Sequence, residues 1–289
     1  MDNTHLFQTY STLLFSVAYR TLGTATDAED IVQETFADLL QAGLPPQVNN
    51  MKAYLCKIVY NKCNDRIRET IKERQTYAGP WLPEPILTDL SEQFLDRESL
   101  ATAYLLLLQQ LSEMERTVFI LREAGGFNYR EIAWIVEKTE ANCRQIYRRA
   151  KQALASQPPA ERLDTPHLKP LIGQFVDALQ NGDLNKLVEV LADDVVFAAD
   201  SGGQVKGALV PIRTSVRVSQ FLMKTSSMIP HDMRTEFEQV NGNWGLVLMA
   251  GTDVLYVFSF QIVRGRIHAI YATSNPDKLA YISRQLRLT

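Results

Sequence analysis

Between Glu140 and Lys151 the chain sets four cations, Arg144, Arg148, Arg149 and Lys151, against the single anion Glu140, a local net charge of +3. A helix with that charge suits a DNA groove, because neutralising phosphates supplies much of the affinity and the docking. Arg144, Gln145 and Arg148 fall within little more than one helical turn, so at least two of them can face base edges together. The longer segment FNYREIAWIVEKTEANCRQIYRRAKQAL reads as two short helices joined by a turn, a context that separates this run from an ordinary solvated basic face.

A second asymmetry lies upstream. Residues 1–45 carry Asp2, Asp27, Glu29, Asp30, Glu34 and Asp38 against Arg20 alone, a net of −5, whereas residues 51–74 carry seven cations and three anions, a net of +4. An acidic helix around DAEDIVQETF followed by the basic, aromatic-bearing AYLCKIVYNKCNDRIR suits a protein partner and a nucleic acid respectively. Tyr54 and Tyr60 could stack on unpaired bases, although an aromatic at helical spacing belongs more often to a core.

These charges need elements to carry them. At 289 residues with 46% hydrophobic and 22% charged composition, the chain can bury cores for two or three domains. Two Pro-rich breaks divide it, AGPWLPEPILTD and ASQPPAERLDTPH, since proline removes donors and disfavours helix before it. The divisions are 1–77, a linker at 78–91, 92–154, a second linker at 155–167, and 168–289. The first and second blocks keep helical periodicity throughout, for instance Ile31, Phe36, Leu39 and Leu40, then Ile132, Ala133 and Ile135.

The third block changes character. Helical stretches at 168–191 and near 214–228 precede four strand-like runs, MRTEFEQV, WGLVLMA, VLYVFSFQIV and RIHAIYATS. Asn241-Gly242 and Arg264-Gly265 are compact hairpin signals, so an α+β domain with an antiparallel sheet is predicted.

In order and position, DAEDIVQETF, AYLCKIVYNKCNDRIR and the segment from RTVFILRE to RRAKQAL resemble an extracytoplasmic-function sigma factor. The resemblance implies two all-α sigma domains, regions 2 and 4, the latter a helix-turn-helix, with core RNA polymerase (its clamp region) and promoter DNA as partners. Matched by position, it implies that Asp27, Glu29, Asp30, Gln33 and Glu34 contact polymerase. It likewise implies that Asn61, Lys62, Asn64, Asp65 and Arg68 handle melted promoter DNA, and that Arg144, Gln145, Arg148 and Arg149 belong to the reader of the more distal element.

The third block resembles SnoaL-like, NTF2-type domains, in which a curved sheet wraps around helices, and one group of sigma factors carries such a domain after the reader helix. That group's linker motif stands here as Trp81-Leu82-Pro83-Glu84-Pro85, and its C-terminal motif as Asn275-Pro276-Asp277-Lys278-Leu279. A third motif, Asp-Gly-Gly-Gly-Lys, is kept in part as Asp200-Ser201-Gly202-Gly203-Gln204, with Lys206 two positions on. Gln204 removes a charge, which puts any ion pair at that place in doubt. The resemblance implies regulation in cis through contact between the C-terminal domain and the sigma domains, and leaves room for an unknown small ligand in the C-terminal cavity. Read without it, Trp81 is an apolar anchor on a stiff linker, and Asn275 or Asp277 is a helix cap.

Some SnoaL-like folds are cyclases or isomerases that move protons with a His and an Asp, and His231, Asp232, Asp253 and His268 supply those types. An enzyme, however, has no use for the acidic block or the reader, and a ligand-sensing DNA-binding regulator has no use for the acidic block. The chain is therefore read as a sigma factor and not an enzyme, with no cofactor and no metal. Cys56, Cys63 and Cys143 form an odd set without CxxC spacing, which fits a reducing cytoplasm. Neither an export leader nor a bilayer-length apolar run is evident.

Overall fold

The computed structural model describes residues 3–43, 48–88, 100–155, 165–226 and 233–288. They group into two units, one holding residues 3–75 and 104–155, the other holding 76–88 and 165–288.

The first unit is all helical. Helix α1 (Asn3–Leu22) stops at Gly23, whose φ of 75° suits glycine, and α2 (Ala25–Ala42) buries Ala28, Ile31, Val32, Thr35, Phe36 and Leu39 along one stripe. Asn50 opens α3 (Met51–Gln75) by accepting the Ala53 amide through Oδ1 at 3.1 Å, and α3 buries Leu55, Cys56, Val59 and Cys63. Burial pushes the Cys56 thiol up to about 12.

Four further helices follow: α4 (Thr102–Gln110), α5 (Glu113–Glu123), α6 (Tyr129–Val136) and α7 (Glu140–Leu154). Ser112 with Glu115, and Asn128 with Glu131, form reciprocal capping boxes at the starts of α5 and α6, and Thr139 caps α7. Glu137 closes α6 in the left-handed region at φ 54°, so that residues 137–139 make the turn of a helix-turn-helix.

The second unit holds α8 (Thr165–Gln180), α9 (Leu184–Val190), β1 (Leu191–Asp200), β2 (Ile212–Arg213), α10 (Ser215–Ser226), β3 (Arg234–Val240), β4 (Asn243–Ala250), β5 (Asp253–Val263), β6 (Arg266–Thr273) and α11 (Pro276–Leu288). The four expected strands are β3 to β6. Their Asn241-Gly242 and Arg264-Gly265 turns have positive φ at both residues, as two-residue hairpins of the right twist require.

Two expectations are corrected. Helix does not run through 168–191, because Gly182, at φ 67°, and Asp183 separate α8 from α9, and the chain then enters β1, a strand the local pattern did not suggest. The sheet, ordered β2-β1-β6-β5-β4-β3, is mixed, since β1 pairs with β6 in parallel and the other pairs are antiparallel. Irregularities in three of the pairings bend it, and the open order leaves it curved but unclosed.

One face of the sheet packs Phe197, Leu246, Phe260 and Ile270 against Ile172 and Phe175 of α8 and Leu222 of α10. On the other, Val240, Val247 and Val257 meet Leu279 and Ile282 of α11, joined at the edge by Leu87. Each such aliphatic side chain contributes roughly 1.5–3 kcal/mol when fully buried.

Candidate nucleic-acid interface and linker site

On α7, the residues that fill the core are Cys143, Ile146 and Ala150, which leaves Arg144, Gln145, Arg148 and Arg149 exposed together on the opposite side. Arg144 holds Glu140 one turn back at 3.0 Å and lies 5.3 Å over the Tyr129 ring of α6. Arg149 reaches Glu115 at 3.8 Å, while Gln145 and Arg148 stand in the solvent-facing row between them. The helix thus presents a basic face whose outermost guanidiniums are already oriented by neighbours.

The acidic helix α2 shows Asp30, Gln33 and Glu34 to solvent, with Asp27 and Glu29 half-buried beside them. Asp27 is tied to Arg66 of α3 and accepts the Thr24 hydroxyl at 2.5 Å. Lys62, expected on the DNA side, is clamped at 3.0 Å by both Glu34 and Asp38 of α2. Burial would lower its pKa, but the hydrogen bonds it donates to those two carboxylates, with their charges, prevail and raise it. Along α3, Asp65 and Arg68 pair with each other at 3.1 Å, Asn61 is exposed, and Asn64 has a buried Oδ1 without a partner among the described residues. Tyr54 and Tyr60 are both half-buried.

The linker is built into the second unit. Asp200, fully buried at the end of β1, takes the Tyr77 hydroxyl and the Gly202 amide on Oδ1, and the Leu82 amide and the Lys278 ammonium on Oδ2, the last two at 2.7 and 2.6 Å. Lys278 also donates to the Leu82 carbonyl, and its ammonium lies 3.8 Å from the Trp81 ring centre and 5.0 Å from that of Tyr77. Asn275 caps α11 through the Asp277 amide at 3.0 Å and donates to the Tyr77 oxygen at 2.8 Å.

The turn after Asp200 needs both glycines. A Cβ on Gly202 would lie 2.6 Å from the Asn275 amide nitrogen, and one on Gly203 would lie 2.9 Å from the Ala78 Cβ, at positive φ in each case. Ser201 has ordinary dihedrals, and Gln204 keeps a contact in place of an ion pair by donating to Asp277 at 2.7 Å. Lys206 is exposed. Pro83 and Glu84 are buried, and further along Leu87 bridges Val240 in antiparallel fashion, with the Thr88 amide on the Gln239 carbonyl at 2.9 Å. Gln285 of α11 accepts the Leu87 amide at 2.8 Å and donates to its carbonyl at 3.2 Å. Tyr77, Thr88, Gln239 and Gln285 were not legible as partners, because nothing in their local sequence marks a contact more than a hundred residues away.

The acid–base candidates do not converge. His268 faces the exposed Asp194 at 3.5 Å, Asp253 opens β5 beside Arg287 at 3.6 Å, and His231 and Asp232 lie outside the described residues. Among the described residues no cluster of metal-ligating side chains occurs, and no helix is long and apolar enough to cross a membrane.

The chain matches the family described as Sigma-70 region 2 over residues 6–72 and that described as Sigma-70, region 4 over residues 101–154. It is 31% identical over 281 residues to the ECF RNA polymerase sigma factor SigJ of Mycobacterium tuberculosis, covering 92% of this chain and 89% of that one. A probable ECF sigma factor, SigI, of the same organism is 28% identical over 65% of this chain and 66% of its own length. The crystal structure of SigJ superposes with a TM-score of 0.72 at 26% identity, covering 95% of this chain and 98% of that one.

Proposed function

Because the chain belongs to the extracytoplasmic-function RNA polymerase sigma factors, we propose that its NTF2-like C-terminal domain regulates initiation in cis by setting the length of the tether between regions 2 and 4. The observation that carries this reading is the capture of the WLPEP linker by Asp200 and Lys278.

The stretch joining α3 to Leu100 runs over residues 76–99, 24 residues that would span roughly 80 Å at full extension. Residues 76–88, about half of it, lie fastened to the second unit. Region 2 and region 4 must read separate promoter elements, and each helical turn of DNA adds about 34 Å to the distance between readers. A captured linker therefore limits the separation the two blocks can adopt, and a released one lifts that limit. Either sense of regulation follows from the same contact: a captured length that matches the promoter favours initiation, and one that does not opposes it.

Within this reading, Asp30, Gln33 and Glu34 with Asp27 and Glu29 form the polymerase-facing side of α2. Asn61, Lys62, Asn64, Asp65 and Arg68 face melted DNA, and Arg144, Gln145, Arg148 and Arg149 face the distal element. The test is in vitro transcription with core polymerase on promoters selected from a random library, comparing the parent with Trp81→Ala and Lys278→Met. The variants should change output and the preferred spacing between the two elements. Identical output and spacing preference from folded variants would rule the tether reading out.

A further inference from the structure

On the side of the sheet that faces α8, two buried N–H donors stand next to each other with nothing to donate to. Gln239 of β3 lies directly opposite Trp244 of β4, so their side chains leave the same face with Cβ atoms about 5 Å apart. Gln239 is 9% exposed, and neither its Nε2 nor the Trp244 Nε1 has a partner among the described residues. Buried donors left unmade are costly, and the great majority in folded proteins are satisfied. An indole N–H can only donate, so the group missing here is an acceptor.

A cation lies beside the two donors. Lys169 of α8 sets its ammonium 4.7 Å over the Trp244 ring and 5.5 Å over that of Phe237, and it makes no ion pair among the described residues. Glu238, the carboxylate next to Gln239 in sequence, belongs to the other face of β3 by the strand's alternation. Burial, and after it the charge of Glu236, pushes that carboxyl up against the pull of Lys169. The surrounding wall is apolar, since Phe237, Trp244 and Leu246 join the core that α8 covers with Leu168 and Leu171. Strand β3 is the last of the sheet, Lys169 is exposed, and Trp244 and Phe237 are half-buried, which puts the donors just inside the rim.

We infer that Gln239, Trp244 and Lys169 form a binding site for a small carboxylic acid with an apolar body. The carboxylate accepts from both N–H groups, Lys169 supplies the counter-charge, and the apolar part lies along Phe237. A few convergent polar groups in an apolar wall are the usual make-up of a small-molecule site. The site stands independently of the tether reading, although Gln239 also takes the Thr88 amide on its carbonyl at 2.9 Å and so adjoins the captured linker.

The experiment uses the full chain, isotope-labelled at the tryptophan nitrogens. Its three indole N–H resonances come from Trp81, Trp134 and Trp244, and Trp244→Phe identifies the last. Acetate, phenylacetate and octanoate are titrated at constant ionic strength up to about 10 mM, each against its uncharged amide. At least one acid should move the Trp244 resonance downfield and saturate it while Trp134 stays put. The corresponding amide should bind about 10-fold more weakly, because charge-assisted hydrogen bonds are the stronger ones. Lys169→Met, which keeps the stem and removes the charge, should weaken the acid by about the same factor. Gln239→Met should weaken it as well and leave the melting temperature of the ligand-free chain unchanged or higher, because a donor without a partner is removed.

Absence of a saturable Trp244 shift with all three acids overturns the site. So does a shift of equal affinity in Lys169→Met and Gln239→Met, which places the acid elsewhere on the chain. An amide that binds as tightly as its acid overturns the carboxylate assignment. A melting temperature that falls in Gln239→Met shows the amide to be engaged within the fold, and overturns its role as an open donor.

Discussion

Lys278 places its ammonium 2.6 Å from Asp200, two side chains 78 positions apart that are both sealed from solvent, and the pair closes over the linker at Leu82. Removing one partner of such a pair strands the other as an uncompensated buried charge. Asp200→Ala should therefore destabilise the second unit by about 3–5 kcal/mol. Urea unfolding followed by Trp fluorescence checks it, and Asp200→Asn, which keeps the hydrogen-bonding shape, should lose less.

Burial, and after it the Asp200 carboxylate, pushes the Tyr77 phenol up from its ordinary value. A group raised on folding contributes stability that is complete below its unfolded value, about 10 for tyrosine, and is lost as pH climbs through the folded value. Linker capture should accordingly weaken above about pH 10. A fluorescence titration of Trp81 should show this alkaline transition in the parent, and Tyr77→Phe should remove that component.

Gln204 contacts Asp277 at 2.7 Å without a charge of its own. Gln204→Lys should turn the contact into an exposed ion pair and add about 0.2–1 kcal/mol, a gain that shrinks in high salt. A double-mutant cycle with Asp277→Asn, run at two salt concentrations, measures it.

Arg144→Ala and Arg148→Ala should each weaken promoter-dependent initiation, by about 1–3 kcal/mol where the side chain reads a base. Arg144 is oriented by Glu140 and Tyr129, so Glu140→Gln should alter its contribution while leaving that of Arg148 nearly unchanged. Transcription on a selected promoter across a salt series separates the two, and binding to core polymerase should survive in all three variants.

Asp30→Lys together with Gln33→Lys should weaken binding to core polymerase, because it reverses the charge of the exposed α2 face. Glu34 is left alone, since it also holds Lys62. Pull-down affinity should fall while the melting temperature stays put, as exposed charges contribute little to stability.

The sequence by itself determined what short-range physics controls. Apolar residues at helical spacing placed α2 and α3, and Asn241-Gly242 and Arg264-Gly265 set two hairpins. Charge counts along the chain marked the acidic and basic helices before any fold was known. Tertiary structure alone decided the rest. LADDVVFAAD lacks an alternating pattern because its second half is buried between α10 and the core, and its parallel pairing with β6 depends on a crossover that no local window contains. The pairing of Lys62 with Glu34, the gathering of Tyr77, Leu82, Asn275 and Lys278 around Asp200, and the hydrogen bond of Asn50 to Glu131 join residues 28 to 198 positions apart. Contacts of that separation are chosen by which surfaces the folded elements bring together, and the residues involved carry no local mark of it.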